Sequence, residues 1–216
     1  MKNIKCVIFD LDGTLANTYP GIFNSYRYAC EKLGIASPTD QVVGEAIGAP
    51  LLEVFERRFN LPKDVAVEGT KHYRVYYAEQ GLLEATAYEG MGETLCTLKE
   101  RGYWLGVATL KKEDFAVRIL ENLGLAKYFD VIVGMNDGDS LTKAQMLEKV
   151  VTTLSCDTQQ AALIGDSSYD AIGAKEAGVK FIPVTYGFGF ADKEEAGIYD
   201  NIGIIDTAKE LLDIFE

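Results

Sequence analysis

The sequence is poor in histidine, proline and cysteine, with one, five and four of these residues in a chain of 216. The cysteines are widely spaced and form no Cys-x-x-Cys pair, so we interpret them as reduced core thiols. Basic residues are also few, because 21 lysines and arginines face 33 acids and leave a net charge of −12. Nucleic acids and anionic membranes attract basic surfaces, so neither is an expected partner. A negatively charged substrate would need a local positive site.

The sequence also lacks a long apolar run. The first apolar stretch is interrupted almost at once by Asp10 and Asp12, which argues against a signal peptide there. No other stretch is a candidate for a transmembrane helix, and we expect a cytoplasmic protein. The chain is long for one average domain and short for two, which favours one domain with a smaller insertion.

The first strong pattern is an apolar strand that ends in two acids. Residues 6–9 (Cys-Val-Ile-Phe) show no polar alternation, which is typical of a strand buried in a parallel sheet. Asp10 and Asp12 follow two positions apart, so on an extended chain both side chains point to the same side. Open α/β sheets bind their ligands at this end of the strands. Two such carboxylates repel by about 4 kcal/mol at ~4 Å and an effective dielectric of ~20, so a bound cation and a retained proton are expected.

Two simpler interpretations of this stretch compete. A calcium loop of the helix-loop-helix kind needs ligands at positions 1, 3 and 5 and a Glu at position 12, a set that the sequence does not supply. A turn that merely ends a strand with two acids is the other alternative. Acids and polar residues at later strand ends decide between these interpretations.

Helical and strand patterns organise the rest of the chain. Residues 16–87 contain four segments of helical periodicity and no convincing strand, which predicts a small helical cap inserted after the first strand. Further strands are predicted at residues 104–108, 131–133, 161–164, 181–184 and, weakly, 202–205, alternating with helices. This alternation predicts an α/β fold with a doubly wound parallel sheet of the Rossmann type. We expect a core of residues 1–15 and 88–216 and a cap of residues 16–87.

Three more groups of polar residues lie at or near predicted strand ends. Thr109 could contact a phosphate oxygen, although a Thr in this position is more often a helix cap. One of Asp166 and Asp170 could also be a cap, but three acids at two strand ends indicate a shared cation site, with Mg²⁺ the expected ion. Lys143 begins a helix after a polar loop. By itself it would be a solvated surface lysine, whereas near an acidic site it would be the counter-charge.

In these residues and their order, the chain resembles a phosphatase of the haloacid dehalogenase superfamily over essentially its whole length. The four family motifs occur in order as residues 10–14 (Asp-Leu-Asp-Gly-Thr), Thr109, Lys143 and residues 165–170 (Gly-Asp-Ser-Ser-Tyr-Asp). The cap is similar to that of the phosphoglycolate phosphatase and 5'-nucleotidase-like branch. Residues such as 186–189 (Tyr-Gly-Phe-Gly) are also similar to that branch.

The resemblance implies an Mg²⁺-dependent phosphatase that hydrolyses a small phosphate monoester through an aspartyl-phosphate. It makes Asp10 the nucleophile and Asp12 the general acid and base. It also implies that Thr109 and Lys143 hold the phosphoryl group. The chain departs from the family pattern at three positions that carry no reactive group in the mechanism: Asn17, Glu89 and Ala144.

For the metal, the resemblance implies a site made by Asp10, the backbone carbonyl of Asp12, and Asp166. Asp170 would support the ion or its waters. The expected substrate is a small-molecule phosphate monoester, and the chain is expected to act as a monomer or homodimer.

Substrate choice is predicted to reside in the cap. Gly48 and Ala49 lie in a loop that could face the site, and Arg74 and Tyr77 could meet the distal end of a substrate. Arg74 and Tyr77 could equally be an exposed charge and a core aromatic of one helix.

Two other functions share part of this pattern. A sugar-phosphate mutase of the β-phosphoglucomutase type has all four motifs, and the ratio of isomer to free phosphate from a 1-phosphohexose would separate it from a phosphatase. A receiver-like phospho-accepting signalling module also gathers acids, a Thr and a Lys at strand ends. Receivers place their paired acids adjacent and have no cap of this size, which disfavours them here.

Overall fold

The structure is a computed structural model that describes residues 3–47, 49, 51–136 and 140–216. The chain divides into two units, one made of Met1–Asn17 with Thr86–Glu216 and the other of Thr18–Ala85. We call them the α/β unit and the helical unit. No helix within the described ranges combines the length and the apolar character needed to cross a membrane.

A parallel sheet of five strands lies at the centre of the described α/β unit. It consists of β1 (Cys6–Phe9), β4 (Trp104–Lys112), β5 (Val131–Met135), β6 (Ala161–Gly165) and β7 (Lys180–Pro183), numbered in chain order. Two short strands, β2 (Ala16–Asn17) and β3 (Thr86–Ala87), form a separate pair. The order in the sheet is β5-β4-β1-β6-β7, so the chain winds outward from β1 first to one edge and then to the other. Every side chain of β1 and β6 is buried, as expected for the centre of a doubly wound sheet.

The register of the sheet aligns the strand ends that carry the polar residues. Phe9, the last residue of β1, is level with Val107 of β4 and Ile164 of β6. The next residue, Asp10, donates its backbone N–H to the carbonyl of Ile164 at 2.9 Å. Residues that follow Phe9, Val107 and Ile164 along the chain therefore lie close together at the carboxyl end of the sheet.

Six helices accompany the sheet in the described part of the α/β unit. They are α5 (Met91–Glu100), α6 (Glu113–Asn122), α7 (Lys143–Thr153), α8 (Ser168–Ala177), α9 (Lys193–Ala196) and α10 (Leu211–Ile214), numbered after the four helices of the other unit. Helix α7 begins sharply because the Thr142 side chain and Gln145 form a capping box. This cap makes Lys143 the first residue of the helix.

The helical unit contains α1 (Tyr19–Leu33), α2 (Asp40–Gly44), α3 (Leu51–Glu53) and α4 (Lys63–Glu79), with a π-helical turn at Val54–Arg58. Its core is aromatic. The ring of Tyr26 lies 4.6 Å from that of Tyr73, 5.5 Å from Phe55 and 5.6 Å from Phe59, measured between centroids. Aromatic side chains bury large areas, so this cluster gives a small unit its own core.

The structure departs from the sequence-based expectation at three places. Strands β2 and β3 pair antiparallel at the two ends of residues 16–87, where no strand was expected. Strand β4 was predicted to end at residue 108 but continues through an irregularity to Lys112. The predicted strand at 202–205 is wrong, because no regular strand forms there in the described chain. The N–H of Ile202 donates to Phe181 at 3.0 Å and the N–H of Ile205 donates to Pro183 at 3.1 Å, but only Ile205 forms a bridge, to Val184. These two bonds are three residues apart in this segment and two apart in β7, so the register shifts by one residue and no regular ladder forms.

Candidate active site

Three buried carboxylates converge at the carboxyl end of the sheet, where β1 and β6 end. One oxygen from each of Asp10, Asp166 and Asp170 lies within 4.8 Å of the other two. Asp10 and Asp166 directly follow their strands, whereas Asp170 comes from the first turn of α8. Asp170 is held there by Ser167, whose N–H and hydroxyl donate to Asp170 Oδ2 at 3.1 and 2.6 Å. We call these three residues the acid cluster.

A glycine in the loop after β1 allows this close approach. Gly13 has φ of 78°, a conformation that side chains other than glycine rarely adopt. A Cβ at this position would lie 2.2 Å from Asp166 Oδ2. The loop therefore needs glycine both for its backbone shape and for the space that Asp166 occupies.

Lys143 supplies the positive charge that faces the acid cluster. Its Nζ lies 2.7 Å from Asp10 Oδ1, 2.7 Å from Asp170 Oδ1 and 2.8 Å from the carbonyl oxygen of Ala108. Burial by itself would lower the pKa of Lys143, but the two carboxylates more than offset burial and raise the pKa above its usual range. The lysine is therefore charged at neutral pH. The structure places Lys143 at the acids, as the counter-charge interpretation predicted.

The charges of this site do not balance, since three carboxylates surround one ammonium group. Burial raises the pKa of Asp10 to about 6, with Asp170 and Asp12 adding to the effect and Lys143 opposing it. Burial likewise raises the pKa of Asp166 to about 7, helped by the negative charges of Asp170 and Asp10. Clustered carboxylate oxygens are the donors that Mg²⁺ prefers, so the residues present fit a hard divalent cation.

One stability prediction follows from the raised pKa of Asp166. Between its ordinary value of 3.8 and about 7, the folded protein holds a proton that the unfolded chain has released, so metal-free stability falls as pH rises through this window. Asp166→Asn removes the charge and keeps an oxygen for the hydrogen bonds. We expect the variant to be more stable than the parent at pH 8 without metal, by a few kcal/mol. Thermal unfolding in chelator at pH 8 and pH 4 measures this.

The matched control is Asp213→Asn, because Asp213 is exposed. Its unfolding temperature should stay close to that of the parent at both pH values. A metal-free Asp166→Asn protein that is less stable than the parent at pH 8 would contradict the assignment of a repulsive acid cluster.

Asp12 occupies a different position from the acid cluster. Its carboxylate is paired with Lys111, with Nζ 2.9 Å from Oδ2, and both side chains are mostly buried. Lys111 was not predicted as a site residue, because β4 was predicted to end before it. Thr109, also predicted as a site residue, is buried on the same strand, and its hydroxyl accepts the Lys111 N–H at 3.3 Å. The structure thus brings all six site residues predicted in the α/β unit to the carboxyl end of the sheet.

The four predicted substrate-binding residues belong to a stretch of the other unit. Gly48 lies outside the described residues, and Ala49 is exposed. Arg74 is exposed on α4, whereas Tyr77 of the same helix is buried and stacks on Tyr73 with ring centroids 5.7 Å apart. Their role in substrate binding stays a prediction.

The chain is similar to a known protein family and to several known proteins. The family model described as haloacid dehalogenase-like hydrolase matches residues 7–184. A protein named 5'-nucleotidase from Pseudomonas aeruginosa is 34% identical over 191 residues, which cover 88% of this chain and 86% of that protein. A protein named phosphoglycolate phosphatase from Neisseria meningitidis is 32% identical over 199 residues, covering 88% and 83%. A protein named tyrosine-protein kinase PtkA from Mycobacterium tuberculosis is 32% identical over 214 residues, covering 97% and 73%.

Solved structures give the same result for the fold. A haloacid dehalogenase-like family hydrolase from Streptococcus pneumoniae superimposes with a TM-score of 0.90 at 31% identity, covering 100% of both chains. This similarity confirms the predicted α/β fold with a central parallel sheet.

Proposed function

The chain belongs to the haloacid dehalogenase-like hydrolase family and is a phosphatase of that family, and we propose that it hydrolyses a small phosphate monoester through an aspartyl-phosphate on Asp10. The predicted family resemblance is thereby confirmed. The observation that carries the proposed mechanism is the contact between the buried carboxylate of Asp10 and the ammonium group of Lys143, at 2.7 Å. The ammonium group stabilises the ionised form of this carboxylate and fixes its orientation, as a nucleophile requires.

In the first step, a carboxylate oxygen of Asp10 attacks phosphorus and the bond to the alcohol oxygen breaks. Lys143 offsets negative charge on the phosphoryl oxygens. Thr109, whose hydroxyl accepts the Lys111 N–H, is proposed to hold the same phosphoryl group. Asp12, which enters this step in its protonated form, gives its proton to the departing alcohol and regains one in the second step. Its side chain stands apart from the acid cluster, which suits a proton donor that must not be a metal ligand.

In the second step, water attacks the phosphorus of the aspartyl-phosphate. Asp12, now ionised, takes the proton of this water, so the step releases inorganic phosphate and regenerates the carboxylate of Asp10. Splitting the hydrolysis into two displacements lets one acidic group act as acid first and base second. The products are one alcohol and one phosphate for each water consumed.

The residues that would hold Mg²⁺ are Asp10, Asp166 and the backbone carbonyl of Asp12, with Asp170 supporting the site. When bound, the ion neutralises the acid cluster and the charge of the phosphoryl group. The donor set described above supports this part of the proposal. The helical unit is proposed to choose the substrate, with Ala49, Arg74 and Tyr77 as candidates.

A screen of phosphate monoesters with Mg²⁺ tests the proposed function. The panel should include phosphoglycolate, nucleoside 5'-monophosphates and a 1-phosphohexose, with free phosphate, isomer product and ATP-dependent phosphorylation of a tyrosine peptide measured in parallel. We expect phosphate release with multiple turnovers from at least one monoester. Isomer formation without phosphate would favour the mutase. Peptide phosphorylation without monoester hydrolysis would favour a kinase such as the one named among the relatives.

We further expect activity to disappear in excess chelator and to return with added Mg²⁺. The cation must displace protons from carboxyl groups whose pKa values are about 6 and about 7, so its binding is favoured as pH rises through this range. The rise in unfolding temperature caused by Mg²⁺ should therefore be small at pH 5 and larger at pH 8. Full activity after exhaustive chelation, or a larger stabilisation at pH 5, would contradict the cation site.

A further inference from the structure

The segment Tyr186–Phe190, which we call the 186–190 loop, follows the last strand of the sheet and contacts Asp166 through its backbone. The N–H groups of Phe188 and Gly189 donate to Asp166 Oδ2 at 2.7 and 3.1 Å. The N–H of Phe190 donates to the carbonyl oxygen of Asp166 at 2.9 Å. Three consecutive backbone donors of one loop thus hold a single residue of the acid cluster.

The same loop contacts the loop that follows β1. The hydroxyl of Tyr186 donates to the carbonyl oxygen of Thr14 at 3.0 Å, and its ring packs on Tyr88 with centroids 4.6 Å apart. A Cβ at Gly187 would lie 2.3 Å from Asp166 Cβ and 2.4 Å from the carbonyl oxygen of Gly13. Gly187 is therefore wedged between the two loops that carry the proposed metal ligands.

We propose that the 186–190 loop positions the Asp166 carboxylate and the loop after β1 for cation binding, and that it thereby sets the affinity for Mg²⁺. This inference rests on the proposed function for the identity of the ion. Two N–H donors engage Oδ2 and restrict rotation of the carboxylate. A ligand held in its binding orientation loses less freedom when the ion binds, so neighbours that orient ligands contribute to affinity.

The loop achieves this without adding a side chain to the acid cluster. The contacts are made by backbone groups at Phe188 and Gly189, and a Cβ at Gly189 would lie 2.5 Å from the carbonyl oxygen of Asp166. Glycine at 187 and 189 has no Cβ, which permits the backbone of the loop to lie this close to Asp166. The residues of the loop are therefore positioning residues, whose loss should change cation affinity more than the chemical step.

Gly187→Ala tests the proposal, because its Cβ must push Asp166 or Gly13 away. Gly92→Ala in α5 is the matched control, since the nearest atom to a Cβ there is 3.8 Å away. Titration calorimetry with MgCl₂ on the full chain gives the dissociation constant. We expect at least tenfold weaker binding in Gly187→Ala and a change of less than twofold in Gly92→Ala. Activity of Gly187→Ala should recover at high Mg²⁺ to within about threefold of the parent kcat, which a general loss of structure would not allow.

A folded Gly187→Ala protein that binds Mg²⁺ as tightly as the parent would overturn the proposal. If that variant does not fold, Tyr186→Phe decides, because it removes only the hydroxyl donor to Thr14 and keeps the ring. We expect threefold to tenfold weaker Mg²⁺ binding, and an unchanged dissociation constant would overturn the proposal in this case. A parent protein that binds no Mg²⁺ would overturn both this inference and the proposed metal site. A parent that binds Mg²⁺ and hydrolyses monoesters, with unaffected variants, overturns the inference alone.

Discussion

Asp10→Asn is expected to reduce phosphate release to background, a loss of roughly 10⁴-fold or more. The amide is a poor nucleophile and forms no acyl phosphate that water can hydrolyse. The variant should stay folded, because the amide oxygen can still accept from Lys143, whose Nζ lies 2.7 Å from Asp10 Oδ1. Steady-state phosphate release and thermal unfolding, measured on the same preparation, separate loss of chemistry from loss of fold.

Asp12→Asn is the matched variant, since it changes the same carboxylate to the same amide two residues away. It keeps the nucleophile and removes the proton donor, so its loss should depend on the leaving group. We expect a severe loss for an alkyl phosphate, whose alkoxide needs a proton, and a milder loss for p-nitrophenyl phosphate. A burst of p-nitrophenol would place the block at hydrolysis of the phospho-enzyme. Equal losses on both substrates with no burst would contradict the role of Asp12 as acid and base.

Lys143→Met should have the second largest effect, on stability as well as on activity. The substitution leaves Asp10 and Asp170 without the cation that lies 2.7 Å from each. Removing one partner from a buried ion pair typically costs about 3–5 kcal/mol, and we expect this loss at pH 8 without metal. Activity should fall by about 10³-fold, because a buried charge that stabilises the transferring group is lost. Mg²⁺ should restore part of the stability, since it neutralises the same carboxylates.

The control for this substitution is Lys99→Met. Lys99 pairs with Asp130 at 2.7 Å, but its side chain is 31% exposed and lies outside the proposed site. A pair that is partly open to solvent costs less to break than a fully buried one, so this variant should keep its activity and lose less stability than Lys143→Met. Similar unfolding temperatures for the two variants in chelator would contradict the charge imbalance inferred around Lys143.

The end of the sheet that carries the site could be predicted because the sequence pattern that marks it is local. An apolar run followed at once by Asp10, and another followed by Asp166, marks the carboxyl ends of two buried strands. Parallel strands bring these ends together, so the convergence of the acids follows from topology. Lys143 was identified only through the expectation of an acidic site nearby, since by itself it is an ordinary lysine of a helix start.

The rest of the site depends on packing between distant segments, which leaves little trace in the local pattern. Lys111 reaches Asp12 because β4 continues through an irregularity beyond the predicted end of the strand. The hydrogen bond from the Phe188 N–H to the Asp166 carboxylate joins residues 22 positions apart. Every residue except proline carries a backbone N–H, so the identity of residue 188 does not indicate this bond. The predicted strand at 202–205 fails for a similar reason, because its register against β7 shifts by one residue between Ile202 and Ile205.

The most direct measurement of the central claim is a rapid-quench experiment with a ³²P-labelled monoester that the parent enzyme hydrolyses. Acid-quenched parent protein should carry protein-bound ³²P that hydroxylamine releases, as an acyl phosphate does. Asp12→Asn should carry it when the labelled monoester is p-nitrophenyl phosphate, whose phenolate leaves without a proton. Peptide mapping should place the label on Asp10, and Asp10→Asn should carry none. Turnover by the parent with no protein-bound label at any quench time, or label that persists in Asp10→Asn, would contradict an aspartyl-phosphate at Asp10.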